Sequence, residues 1–178
     1  NALAINYSKD SHEGKHIIVD PYPDKFIKNG INYQRKLIES RVEVLDVNFS
    51  KQLKANDIIF IDSGHTVRIG GDVNYLFLDV LPRLAPGVII HIHDIGLPYE
   101  YPKAYATSET WRQFWTEQYL LQSFLCFNNE FEVLLAMRYL MTDHPQVFRE
   151  TFPYYSPDLR SSFISSSFWM RRKILDNE

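Results

Sequence analysis

Cysteine is almost missing: the 178 residues contain one, Cys126. A single cysteine excludes an internal disulfide and any thiolate-rich zinc centre, and it suits a reducing compartment. Glycine is scarce, at 7 residues, and neither GxGxxG nor GxxxxGK[ST] occurs. No apolar run reaches the ~18 residues that a membrane-spanning helix requires. Neither sign of charge dominates: 19 basic residues face 22 acidic ones, a net of −3. That balance argues against a nucleic-acid binder held by a general basic field. The sequence opens on Asn1 and shows no targeting segment.

What is present is an ordinary globular composition. Hydrophobic residues are 45% and charged residues 23% of the chain, which is too apolar and too nearly neutral for general disorder. The length is that of one domain, able to bury roughly 70% of its unfolded surface without a covalent or metal staple.

Short apolar runs alternate with amphipathic ones. His16–Asp20, Arg41–Asp46, Asp57–Asp62, Val88–Asp94, Phe131–Ala136 and Phe168–Arg172 read as strands. Phe26–Glu39, Phe49–Ala55, Asp72–Leu84 and Thr110–Phe127 read as helices, the third from Val73, Leu76, Phe77, Val80, Leu81 and Leu84 at helical spacing. Alternation of this kind predicts an α/β fold, doubly wound, with a mainly parallel sheet and helices on both faces. Residues 16–136 form the expected core, 137–165 an irregular connection, and 166–173 the last strand of one domain spanning 1–178.

Ligands of open α/β sheets bind beyond the carboxyl ends of the strands. Four expected strands end in an acid there: Asp20, Asp46, Asp62 and Asp94. One such acid is commonly a cap or turn residue; four at equivalent places line one edge. Asp20 suits a ribose, because a carboxylate accepts hydrogen bonds from vicinal hydroxyls. Asp62-Ser63-Gly64-His65 and His91-Ile92-His93-Asp94 bring carboxylates and imidazoles to the same edge, a set able to bind a divalent metal or supply a general base. His91 lies deeper in its strand and reads as structural, while His12, His16 and His144 read as structural or solvent-facing. The aromatic residues Trp111, Phe114, Trp115, Tyr119 and Phe124 read as core, and Glu117-Gln118 as either site-facing or exposed.

The segments FIDSGHT, LPRLAPGVIIHIHDI, LPYEYP, WTEQYLLQSFLCFN and FEVLLA together resemble a class I S-adenosylmethionine-dependent methyltransferase, in a bacterial subgroup called the methyltransferase-24 type. The likeness runs from about Ile17 to Arg172. It implies a Rossmann-like sheet in the order 3-2-1-4-5-7-6 with strand 7 antiparallel. Two departures stand out. Val88 replaces the second glycine of the Pro-Gly-Gly that leads into strand 5, and the first strand with its Gly-rich turn is not found. Asn1–Tyr7 looks like the end of the helix after that turn, with 1–15 as helix end and loop. Either residues precede Asn1, the reading preferred on the sequence, or the sheet closes another way.

By position, the resemblance gives Asp20, Tyr22, Asp46, Asp62 and Ser63 to the cofactor. It matches Asp62, His93 and Asp94 to the metal ligands of the metal-dependent O-methyltransferases, although imidazole suits transition metals better than Mg²⁺. His65, His93 and Asp94 are the expected catalytic residues. The implied activity is methyl transfer from S-adenosylmethionine to a small-molecule or sugar-type hydroxyl, with nitrogen as the other acceptor. It implies a cytoplasmic protein with a small-molecule partner, no nucleic acid, no membrane, and possible self-association. Two alternatives remain on the sequence alone: a nicotinamide-dependent oxidoreductase and a non-catalytic Rossmann-like binding domain.

Overall fold

The computed structural model describes residues 2–6, 15–29, 35–110, 112–155 and 166–174. His12 and Trp111 lie outside the described residues. Seven strands make one sheet: β1 (Ala2–Asn6), β2 (Lys15–Val19), β3 (Arg35–Ile38), β4 (Ile58–Ile61), β5 (Ile89–Ile92), β6 (Phe131–Ala136) and β7 (Phe168–Arg172). Their order is β3-β2-β1-β4-β5-β7-β6. β2 with β3 and β4 with β5 pair in parallel, whereas β7 runs antiparallel to both β5 and β6 and β1 antiparallel to both β2 and β4, so the sheet is mixed, with four antiparallel pairings of six, and not mainly parallel as the alternation of elements suggested.

Branched residues explain the centre of this sheet. Ile and Val are stiff at χ1 and suit a pleated surface. By the two-residue period, Ile59, Ile61, Ile90, Ile92 and Met170 share one face and are sealed from solvent. Against them lies one helical run, α-helical over Asp72–Asn74 (α2), π-helical over Tyr75–Val80 and 3-10 over Leu81–Arg83. All six apolar residues expected on its inner side, Val73 to Leu84, are fully buried. α4 (Glu117–Leu125) adds Leu121 and Phe124, the latter edge-on to Phe77 and Phe131. The opposite face carries the row Phe60, His91 and Trp169. The His91 ring stacks on Trp169 at 4.0 Å, and its Nε2 meets Ser167 Oγ at 2.7 Å. His91 is therefore structural, as expected.

Several boundaries differ from the sequence reading. Ala2–Asn6, read as the end of a helix, is a strand. It fills the central place held to be missing, antiparallel to β2 on one side and to β4 on the other. The physical reason is that β2 and β4 would otherwise each leave a row of backbone groups unpaired. The third strand is Arg35–Ile38, where the sequence suggested a helix. A short helix α1 (Lys25–Asn29) precedes it. Arg41–Asp46, read as a strand, instead holds a 3-10 turn over Val42–Val44, followed by another over Val47–Gln52. Val42 and Leu45, three apart, both pack on the core, and a 3-10 turn eclipses such residues. The helix expected over Thr110–Phe127 is confined to Glu117–Leu125, with a four-residue helix α3 (Ala104–Thr107) earlier in the loop. The connection 137–165, read as irregular, contains α5 (Met137–Asp143) and α6 (Pro145–Thr151). Arg171 pairs with Glu132 at 2.7 Å, and Arg172 Nη1 donates to the Pro82 carbonyl at 2.9 Å, so both serve the fold.

Gly87 shows why the altered Pro-Gly-Gly still works. It adopts φ +86°, and a Cβ there would lie 2.6 Å from Ala55 Cβ. Val88, where the second glycine would stand, is fully buried and needs no such freedom. Gly87→Ala should therefore lower stability by at least about 1–2 kcal/mol, the cost of a left-handed alanine alone. A urea midpoint equal to that of the unaltered chain would refute this account.

Candidate active site

The carboxyl ends of β2, β4 and β5 open on one edge of the sheet. Asp20 follows β2, is buried, and accepts from the Tyr22 backbone N–H at 2.8 Å. Beside it a cleft of about 610 Å³ is lined by Tyr22, Val42, Glu43, Asp62, Gly64, Arg68 and Asp72 among others. That volume is within the usual range for small-ligand sites. Gly64 N–H donates to Asp72 Oδ2 at 2.6 Å, while Asp72 Oδ1 is buried with no protein partner among the described residues. Asp46 is not part of this edge. It caps the 3-10 turn at Val47, accepting from Asn48 N–H at 2.9 Å, which holds its carboxyl below the usual range. The sequence reading misplaced it together with the third strand; Glu43 is the acid that lines the cleft instead.

The second cluster forms where β4 and β5 end. His65 Nε2 lies 3.6 Å from both Asp62 Oδ1 and Asp94 Oδ2. His93 Nδ1 lies 3.3 Å from Asp94 Oδ2 and 3.6 Å from Asp62 Oδ1. Ser63 Oγ and His65 Nδ1 each reach the Glu117 carboxylate at 2.8 Å. His65 and Asp94 both hold left-handed backbones, φ 55° and 58°. Such conformations cost energy and concentrate at functional sites. His65 is secured by Thr116 N–H on its carbonyl at 2.8 Å, and Asp94 by Ser166 Oγ on its carboxylate at 3.0 Å.

The charges reinforce one another. Burial lowers the His65 imidazole, but the Asp62 and Glu117 carboxylates outweigh it and raise its pKa to about 9. Asp62 and then Asp94 raise His93 to about 10, against its burial. In return, His65 and His93 hold the Asp62 carboxyl far below the usual range. Burial works to raise Asp94, and pairing with His93 overrides it downward.

These features identify the chain's relatives. A family model described as a methyltransferase domain matches residues 2–95, more than half of the chain. The chain belongs to this family. As a methyltransferase-domain protein it takes S-adenosylmethionine as methyl donor, and the oxidoreductase reading lapses. No curated protein and no solved structure gives a significant match.

The methyltransferase's cleft fits that donor in part. A buried acid at the β2 end, a volume of the right order and an orphaned Asp72 oxygen are suited to the hydroxyls and ammonium of such a cation. Among the described residues no group of three His, Cys, Asp or Glu is arranged to hold a metal. Asp62, His93 and Asp94 form an ion-paired cluster, with His93 Nδ1 3.6 Å from Asp62 Oδ1 and 3.3 Å from Asp94 Oδ2.

The Leu97–Tyr105 loop reaches this cluster through Tyr101 and Tyr105, which pack on Trp115 at 6.0 and 5.1 Å. Trp115 in turn covers His65 at 4.3 Å. Phe114, read as core, is exposed. Glu117 and Gln118 are fully buried, and Gln118 accepts from Gly96 N–H at 3.1 Å.

An NMR titration of the imidazoles should give His93 an apparent pKa near 10. Asp94→Asn removes one of the two carboxylates that favour the imidazolium, so the value should fall toward the ordinary ~6.5. An unchanged His93 titration in that variant would contradict the pairing.

Proposed function

We propose that this methyltransferase acts on a hydroxyl oxygen of a small-molecule or sugar-type acceptor held against the ends of β4 and β5, with nitrogen as the less favoured nucleophile. The observation that carries this reading is the interleaved set Asp62, His65, His93 and Asp94 at that edge.

S-adenosylmethionine supplies an electrophilic methyl group on a cationic sulfur. The chain's residues do the rest. The Asp20 carboxylate would take the ribose hydroxyls, with Tyr22 beside it. Asp62 and Ser63 border the reacting end, and Asp72 Oδ1 offers an acceptor to the ammonium. The Asp62 and Asp94 carboxylates favour a cation nearby. His93, nearly half exposed, is the group placed to take the acceptor's proton. It must first lose its own. A base that titrates near 10 is better matched to a weakly acidic hydroxyl than an ordinary imidazole, because proton transfer is then less uphill. Its unprotonated fraction at neutral pH is small, however, so the rate should climb about tenfold per pH unit toward 9.

The lone Cys126 is exposed, and no helix among the described residues is long and apolar enough to cross a membrane. We infer a cytoplasmic setting and no membrane or nucleic-acid partner; self-association is left to measurement.

Calorimetry with S-adenosylhomocysteine tests the reading. Hydrogen bonds to a charged acceptor contribute about 1.5–3 kcal/mol each. Asp20→Ala should therefore weaken binding about ten-fold or more. Absence of binding, or an Asp20→Ala variant that binds as before, would sink the proposal.

A further inference from the structure

Glu117 lies beyond the 2–95 stretch that carries the family likeness, yet it is the most deeply sealed acid among the described residues, with no exposed surface. A carboxylate is unfavourable there unless donors surround it. Two do, and both come from the turn after β4: Ser63 Oγ to Oε1 and His65 Nδ1 to Oε2, each at 2.8 Å. The backbone closes the same loop, since Glu117 N–H donates to the His65 carbonyl at 3.1 Å and His65 N–H to Ser63 Oγ at 3.0 Å.

A carboxylate is the side chain that answers both donors. An amide of the same shape has one accepting atom and one donating atom, so it can receive from Ser63 or from His65 Nδ1 but not from both. With a carboxylate, the proton on Nδ1 is retained whether or not Nε2 also carries one. Trp115 restricts the ring from its face at 4.3 Å. The remaining nitrogen, Nε2, is left 3.6 Å from Asp62 and from Asp94.

We propose that Glu117 is a positioning residue: it fixes the proton of His65 on Nδ1 and turns Nε2 toward the acids at the strand ends, where the acceptor would lie. The same logic orients a histidine by a buried acid in hydrolytic triads. The direction of Nε2 matters to catalysis only under the methyltransferase reading above, whereas the tautomer itself does not depend on that reading.

Imidazole nitrogen NMR tests this on the unaltered chain, with His65 assigned by its loss in His65→Gln. At pH above its titration, the neutral ring should show Nδ1 in the range of a protonated nitrogen and Nε2 in the range of a bare one. The reverse tautomer would overturn the proposal with no variant needed. Glu117→Leu leaves Nδ1 with no acceptor and should let the neutral ring populate the other tautomer, whereas Glu117→Asp should keep part of the original signal. A Glu117→Leu chain whose neutral His65 keeps the native tautomer would also overturn it. Failure of the unaltered chain to bind S-adenosylhomocysteine, with the tautomer as expected, would instead count against the methyltransferase reading alone.

Discussion

The register of β4 against β5 is the constraint on which the site depends. Ile61 stands opposite Ile92, and His93 N–H extends the ladder to the Ile61 carbonyl at 2.9 Å. Asp62 and His93-Asp94 therefore leave two neighbouring strands at the same level. A slip of β5 by one residue would turn Ile90 and Ile92 out of the core and carry His93 to the other face. Each buried isoleucine is worth about 1.5–3 kcal/mol, so the two contribute about 3–6 kcal/mol. A partly exposed ion pair is worth at most about 1 kcal/mol. The core holds the charged cluster in place, and not the reverse.

That order of strength explains how three acids can be kept together. Asp62, Asp94 and Glu117 would repel one another in isolation. His65 is threaded among all three and His93 between two, so every carboxylate faces at least one imidazole. Pairing of this kind makes folding sensitive to pH in a definite direction. The raised His65 pKa means that its stabilising contribution is complete below the unfolded value near 6.5 and is lost as pH passes about 9. The lowered Asp62 pKa means that its contribution is present above about 3.8 and is lost on acidification. The cluster is therefore most cohesive between mildly acidic and mildly alkaline pH.

Much of this was legible in the residues. The helical run from Val73 to Leu84, the strands at Ile58 and Ile89, and the edge carrying Asp20, Asp62 and Asp94 follow from period and from acids at strand ends. Position 46 was not legible, because RVEVLD alternates like a strand and no local signal says that Val42 and Leu45 meet the core through a 3-10 turn. The partner of His65 was only half visible. Glu117-Gln118 opens an apolar helix, but whether the pair faces water or the site depends on where residues 110–116 run. Residues 112–116 form neither helix nor strand, and Thr116 Oγ1 accepts from Val67 N–H at 2.7 Å next to the inward-facing Glu117. Contacts of this range, 52 residues apart for His65 and Glu117, leave no trace in periodicity.

The central strand carries the last step. Ala2 pairs with both Val19 and Ile61, so β1 presents its amino end at the carboxyl edge of β2 and β4. A strand in this sense closes the ladder between β2 and β4 and preserves the strand order. The elements on either side of it flank the cleft: Tyr22 from the stretch after β2, Glu43 from the turn after β3, and Gly64 and Asp72 from the region after β4. The acids on these walls are offset by two basic side chains, Arg41, which is held by Glu43, and Arg68, so the charge that β1 brings together across the cleft is mixed and not purely acidic.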